Sequence, residues 1–462
     1  MTSDVLVVGG GHNGLVAAIL AASAGHSVTL LERSGHPGGA TVGERVFPPH
    51  PARLSRYAYL VALMPDELVR RLGIAIPLAS RAVSSYTPVL RDGVASGLLV
   101  ERQLGPATER SFREVTGSGE DFAAWRQLYS EIRSLAEVVA PALSGPLRRR
   151  SEVAGAVTAA AGPQVWADLV EEPIGAMIER RFRDDTVRGV VATDALIGTH
   201  TSLFAPDLLA NRCFLYHLIG RGTGEWLVPI GGMGAVSDAL VRRARQLGVE
   251  IVCDAAVIDI EETAGAVTVT AVREGEEFAL AAPYLLAAIA PPVLDRCLRR
   301  ETEDPVGAQI KVNMLLDRLP RLKSGLDPRT AFAGTLHLNE ELSELEAAYA
   351  ISRSGSLPAV VPSEVYCHSL TDPTIMNGHP GATLTLFGLH TPVDLFRPDP
   401  DAARAAAAQS ALIALQKHLA EPLLDCLARD ENGEPCVDIA SPVDLEIGLN
   451  MPGGHIFHDD LS

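Results

Sequence analysis

The spacing of hydrophobic and polar positions changes several times along this chain, and those changes lay out its elements. An unbroken apolar run, Val5-Leu6-Val7-Val8, comes first and has the continuous character of a strand covered on both faces. A glycine-rich turn occupies residues 9–14, and an Ala- and Leu-rich helix is predicted over 15–24 with Gly25 as its C-terminal cap. A second apolar run, 27–31, ends on Glu32. Strand, turn, helix and strand fall in the order of a βαβ unit.

Farther on, residues 65–72 read as helix and 76–118 as strands and turns of a second domain. Ser118-Gly-Glu-Asp121 has the form of a capping box, opening a helix whose Phe122, Trp125, Tyr129, Ile132, Leu135 and Val139 keep helical spacing. That stripe is core, not a ligand box, and Pro141 ends the helix. More helix is expected over 173–197 and 206–217, and an amphipathic helix runs from Gly234 to Leu247. Residues 267–280, with Glu274-Gly275 at the turn, predict a β-hairpin. Alternation over 310–319, 364–368 and 383–389 marks strands of a second sheet. A last long helix is predicted over 401–427, with Pro400 in its first turn.

The glycine-rich turn carries the chemistry. Gly9-Gly10-Gly11-His12-Asn13-Gly14 is a full G-x-G-x-x-G. Gly9 permits the tight turn, Gly11 lets a pyrophosphate approach the backbone, and Gly14 lets helix and strand touch. Amides at the helix N-terminus point at that pyrophosphate, and Asn13 is counted with the glycines as cofactor-binding. Glu32, 18 residues after Gly14, can accept hydrogen bonds from an adenosine ribose. An acid there disfavours a 2′-phosphate, so NADP is not expected. The stretch binds a dinucleotide.

Composition narrows the picture. A chain of 462 residues predicts two domains, and 47% hydrophobic with 21% charged residues is ordinary for a globular protein. Lys plus Arg number 39 against 57 Asp plus Glu, and the net −18 argues against nucleic acid or anionic lipid as a non-specific partner. The six cysteines form no C-x-x-C, so neither a zinc ribbon nor a redox-active disulfide motif is expected, and no metal is assigned. Strand by Val5 leaves no room for a signal peptide, and no run of about 20 apolar residues appears. A cytoplasmic chain acting on a small molecule is expected, without a spanning segment and with peripheral membrane contact left open. His50 lies in the Pro-rich loop 47–51 and reads as a surface residue; His200 and His217 read as packed or surface histidines; Arg148-Arg149-Arg150 reads as a solvated loop.

A second glycine-rich stretch, residues 224–234, does not repeat the first. After Gly232 and Gly234 the third glycine is replaced by Ser237, and no acid-terminated βαβ unit surrounds it. A second nucleotide unit, and with it a two-unit disulfide reductase, is not expected.

Past Glu32 come Arg33 and Gly38-Gly39-Ala40-Thr41, and here the sequence resembles the flavoprotein superfamily of amine oxidases and phytoene desaturases. The resemblance implies FAD, with Arg33, Gly38, Gly39 and Thr41 continuing its site. Pro229-Ile-Gly-Gly-Met-Gly, Lys311-Val-Asn-Met-Leu-Leu-Asp-Arg-Leu-Pro and Gly453-Gly-His-Ile-Phe-His458 together resemble one branch of the phytoene-desaturase-like FAD oxidoreductases. It is the branch of pyridine nucleotide-disulfide oxidoreductase domain-containing protein 2, and the likeness covers nearly the whole chain. It implies an α/β fold: a Rossmann-type FAD-binding domain of glutathione-reductase type (1–75, 228–300 and 440–462) with a discontinuous α+β substrate domain (76–227 and 301–439). It also implies a backbone contact from Val257 to the adenine. Ser55 and Tyr57, in the loop beneath the flavin, and Trp226, Gly231, Gly232 and Met233 are weaker candidates for the flavin or substrate face. Members of the branch continue past the Gly-Gly-His-Ile-Phe-His region into a segment that closes the flavin site, whereas this sequence ends at Ser462. The expectation is a shortened chain, or one that completes the site in another way.

The function implied is hydride transfer from an apolar substrate to flavin N5, a step the cofactor performs without an obligatory acid–base triad. Two alternatives stand beside it. An amine-oxidase-type enzyme would need an aromatic cage that the 5% of aromatic residues does not locate. A nucleotide-binding interaction protein without turnover would bind the cofactor and leave it unreduced.

Overall fold

The computed structural model describes residues 3–263, 265–458 and 461. Of the C-terminal segment 440–462 assigned above to the FAD domain, residues 459, 460 and 462 lie outside those described.

A four-stranded parallel sheet runs Tyr284–Ala287, Val5–Val8, Val28–Leu31, Glu250–Val252 from edge to edge. Its first strand is apolar at every position because both faces are covered. Val5 and Val7 face the helices His12–Ser23 and Gly232–Gln246, among Leu15, Ile19, Met233 and Leu240. Leu6 and Val8 face an antiparallel three-stranded sheet, Ala256–Thr263, Ala266–Arg273 and Glu276–Ala282, through Ile260, Val269 and Ala271. The period-2 alternation of a strand delivers one set of residues to each layer. The predicted hairpin is two of those three strands. The helix after the second glycine-rich stretch leads into Glu250–Val252, which joins this same sheet, so no second nucleotide unit is built.

A seven-stranded sheet runs Val437–Ala440, Ile310–Leu316, Ala382–Gly388, Ser363–Tyr366, Thr335–Leu338, Val83–Arg91, Val94–Glu101. Its neighbours are antiparallel except Thr335–Leu338 with Val83–Arg91. Leu386 faces a core shared with the helix Pro400–His418, while Phe387 faces a helical layer. That layer includes Glu120–Val139, Ile174–Arg181, Asp185–Ala192 and Leu209–Leu218. In it Trp125, Ile132 and Leu135 are buried, and Phe122, Tyr129 and Val139 pack against the same core.

Four expectations need correction. Residues 76–118 contain the helix Pro106–Thr116 besides strands; its apolar positions are few, and Phe112 and Val115 carry its burial. Asp121 does not cap its own helix, which starts after Gly119; its carboxylate instead accepts from the amides of Arg183 (2.9 Å) and Asp184 (3.0 Å). The last long helix ends at His418, not 427, because Pro422 cannot continue it and the chain turns into strand-like pairing at Leu419. Arg150 is no loop residue but the first of the helix Arg150–Ala161.

Among the described residues no helix is long and apolar enough to cross a membrane. All six cysteines are free, and five are buried.

Candidate functional site: a dinucleotide cradle and a buried lysine

Gly9, Gly10 and Gly14 of the first turn are each held to that residue type by a separate contact. A Cβ on Gly14 would lie 1.8 Å from the carbonyl oxygen of Gly9, so helix and strand meet at backbone distance. Gly9 adopts φ +99°, and a Cβ there would lie 2.5 Å from the Ala288 carbonyl. Gly11 is different: the nearest atom to its Cβ position is the Cα of Gly39, at 4.0 Å. The space in front of Gly11 is open, and no side chain caps the helix that begins beside it. Open room, uncapped amides and the positive end of a helix dipole are what a pyrophosphate needs.

Glu32 stands at the end of its strand as the spacing predicted. One oxygen accepts from the amide of Gly10 (2.6 Å) and the other from Ser34 (2.8 Å), which fixes the carboxylate beside the turn. Gly10, absent from the predicted set, is needed for this: a Cβ there would lie 2.8 Å from Glu32 Oε2. The triple glycine was the signal for it. Gly38 lies against the turn through its amide on the Gly10 carbonyl (2.8 Å) and a bridge to Gly11. Gly39 approaches Gly11 so closely that a Cβ would lie 3.1 Å from its Cα. The Thr41 hydroxyl is 3.2 Å from Nδ1 of His12. Val257 follows Ala255, whose amide bonds the Glu32 carbonyl (2.9 Å), at a bulge opening the three-stranded sheet. Arg33 donates to the carbonyls of Ile447 (3.3 Å) and Gly448 (2.7 Å), tying the turn to the helix Pro442–Leu449.

The weaker candidates are distributed differently. Met233 is core beneath the parallel sheet, and its amide donates to the Ser55 hydroxyl (3.0 Å). The Gly231 amide donates to Asp372 (2.6 Å), and Gly232 abuts Ser55, so this stretch joins the two sheets rather than presenting an open face. Trp226 donates from Nε1 to the His217 carbonyl (3.1 Å) and packs on the helical core. Tyr57 is half-buried beneath the Arg56 guanidinium. His50 bonds the Arg429 carbonyl (2.7 Å) at the loop surface, and His217 is buried.

A further residue emerges from the fold alone. Ala58 donates to the Ala40 carbonyl (3.0 Å), which brings the 55–59 loop beside the glycine loop. Under it lies Lys311, 5% exposed, whose Nζ donates to the carbonyls of Ser55 (2.8 Å) and Tyr57 (2.5 Å). Its ammonium sits 4.6 Å from the centroid of the Tyr59 ring. Burial holds this amine well below the ordinary lysine range; Asp438 opposes that shift and the Arg56 charge adds to it. Around Tyr59 stand Tyr366 at 5.0 Å and His368 at 5.5 Å between ring centroids. His368 is buried with Nε2 free of hydrogen-bond partners among the described residues, and burial, then Lys311 and Arg81, push its pKa down to about 3. Lys311 and Asn313 are the two polar residues of the strand Ile310–Leu316. Its alternation is real: Ile310, Val312, Met314 and Leu316 face the core, while Lys311 and Asn313 face the 55–57 loop.

Two substitutions test this geometry. Gly14→Ala is expected to cost more than about 4 kcal/mol, since the clash is backbone to backbone, and to appear as loss of soluble protein or a large fall in Tm. Glu32→Ala is expected to weaken FAD binding by about 10- to 100-fold, the worth of a charged hydrogen bond, in a titration of the apoprotein.

A parallel sheet with this cradle at the end of its first strand, backed by an acid at the end of the second, defines a dinucleotide-binding protein. The first 4–140 residues match the family of FAD dependent oxidoreductases. Over 474 residues the chain is 42% identical to uncharacterized protein Rv0897c of Mycobacterium tuberculosis, covering 99% of this chain and 87% of that protein. It is 28% identical to pyridine nucleotide-disulfide oxidoreductase domain-containing protein 2 of Mus musculus, with 99% of this chain and 84% of that protein covered. Among solved structures, cyclohexylamine oxidase from Brevibacterium oxydans shares the fold with a TM-score of 0.55 at 15% identity, covering 95% of this chain and 84% of that one. The chain belongs to one family with the mycobacterial protein, and the match of residues 4–140 makes it an FAD-dependent oxidoreductase whose cofactor is FAD.

Proposed function

We propose that this chain is a flavin dehydrogenase of the phytoene-desaturase-like type, taking a hydride from a carbon centre of its substrate. The observation that carries the reading is the pairing of an open FAD cradle at Gly11 with buried Lys311, whose amine donates to the adjoining 55–57 loop. Residues 9–14, Glu32 and 38–41 would hold the adenosine and pyrophosphate. Bound FAD supplies a two-electron acceptor at N5. The protein's own part is to fix the substrate over the Lys311–Tyr59 surface, to keep water out, and to hold a proton at Lys311 Nζ. An amine held below its usual range is suited to exchanging a proton during turnover. The helical core beside this surface offers apolar walls for a largely apolar substrate, as the family likeness implies.

One observation favours amine oxidation as a second reading: Tyr59, Tyr366 and His368 form the ring cluster that the sequence did not locate. Anaerobic mixing of the flavin-loaded protein with polyene hydrocarbons and with primary and secondary amines separates the two. Bleaching of the flavin by polyenes alone supports the desaturase reading, and bleaching by amines alone supports the second. No bleaching by either, with flavin bound, would favour a binding protein without turnover.

A further inference from the structure

Behind Tyr366 lies a cluster of ionisable groups that the dehydrogenase reading does not use. In the seven-stranded sheet His337 and Glu364 are directly paired across neighbouring strands, and Glu340 follows in the turn after the first of them. Nδ1 of His337 lies 2.7 Å from Glu340 Oε2 and 3.7 Å from Glu364 Oε1. Their side chains are 7%, 0% and 2% exposed. One donor atom from each falls within 4.8 Å of the other two.

One observation marks the cluster as incomplete. Glu340 Oε2 accepts from Thr193 (2.9 Å) and meets His337, yet Oε1 of the same buried carboxylate has no hydrogen-bond partner among the described residues. Tyr366 donates to Glu364 Oε2 at 2.6 Å, and the other oxygen of Glu364 faces His337. Two carboxylates this deeply buried and this close are held either by protons or by a cation.

We infer that His337, Glu340 and Glu364 form a binding site for one divalent transition-metal ion. One imidazole nitrogen and two carboxylates suit zinc first, then manganese or iron(II), and the ion's two positive charges match the two carboxylates that would bind it. Metal–ligand bonds of about 2.0–2.2 Å set donors about 3–3.5 Å apart, so the 2.7 Å pair opens slightly to admit the ion while the wider pairs close on it. The ion gives the Glu340 carboxylate, whose Oε1 is unpartnered among the described residues, a further contact, and His337 ligates through Nδ1 as the neutral tautomer with its proton on Nε2. Thr193 holds Glu340 from the helical layer, so the ion fastens that layer to the sheet. The role is structural; the site is walled off from the Lys311 surface by Tyr366.

The test is metal analysis of the flavin-loaded protein after incubation with zinc, manganese or iron(II) and desalting, with melting followed in parallel. The expected result is about one ion per chain and a Tm about 5 °C or more above that of the chelator-treated holoprotein. Glu340→Gln combined with Glu364→Gln is expected to abolish both while the flavin absorbance persists. Wild-type protein that keeps flavin but holds no stoichiometric ion, with an unmoved Tm, overturns the inference and leaves the acids neutralised by protons. An ion retained equally by the double variant overturns it as well. Because flavin binding is read separately, failure of the metal site is distinct from failure of the dehydrogenase reading.

Discussion

Gly11→Val is expected to yield a folded chain that purifies colourless and does not take up added FAD. The prediction rests on a contrast within one turn. Side chains at Gly9 and Gly14 would strike backbone at 2.5 and 1.8 Å, whereas a Cβ at Gly11 meets nothing nearer than 4.0 Å. The valine methyl groups therefore project into the space the pyrophosphate uses and leave strand, helix and loop in place. Far-ultraviolet circular dichroism and Tm close to wild type, with FAD affinity reduced at least about 100-fold, is the expected pair of results. A variant that still binds FAD would show that the cofactor does not pass Gly11.

Lys311→Met is expected to keep FAD and to slow reduction of the bound flavin by substrate about 100-fold or more, the usual scale of a lost proton-transferring group. Methionine fills the same buried volume, so the sheet survives. The Ser55 and Tyr57 carbonyls lose a donor, at a cost of about 1–3 kcal/mol in stability. Stopped-flow reduction with whichever substrate class bleaches the flavin separates the two effects. An unchanged rate in a variant of lowered Tm would make Lys311 a structural residue only.

What could be read from the sequence divides along a physical line. The cradle was legible because its parts are close in the chain: Val5 to Glu32 form one local unit in which each residue type has one job. The Gly-Gly pair at 38–39 was picked out by the family resemblance, and the fold sets it against the same turn. Gly10 went unassigned although the triple glycine marks it, because in G-x-G-x-x-G it is a free position and its need arises from the Glu32 side chain on the next strand. Lys311, on the strand Ile310–Leu316, and His368, at the start of the short helix His368–Thr371, meet the 55–59 loop from more than two hundred residues away, a contact only the fold supplies. The His337–Glu364 pair lies on opposite strands, with no spacing in the sequence that suggests ligands. Asp121 shows the opposite failure: its local pattern predicted a cap, and tertiary contacts with Arg183 and Asp184 took the carboxylate instead.

Identification of the flavin released by the purified protein on denaturation tests the central claim most directly. The structure predicts FAD at about one per chain, since the Glu32 and Gly11 sites serve the adenosine and pyrophosphate that shorter flavins lack. Release of FMN, or of no flavin after reconstitution with FAD, would contradict it.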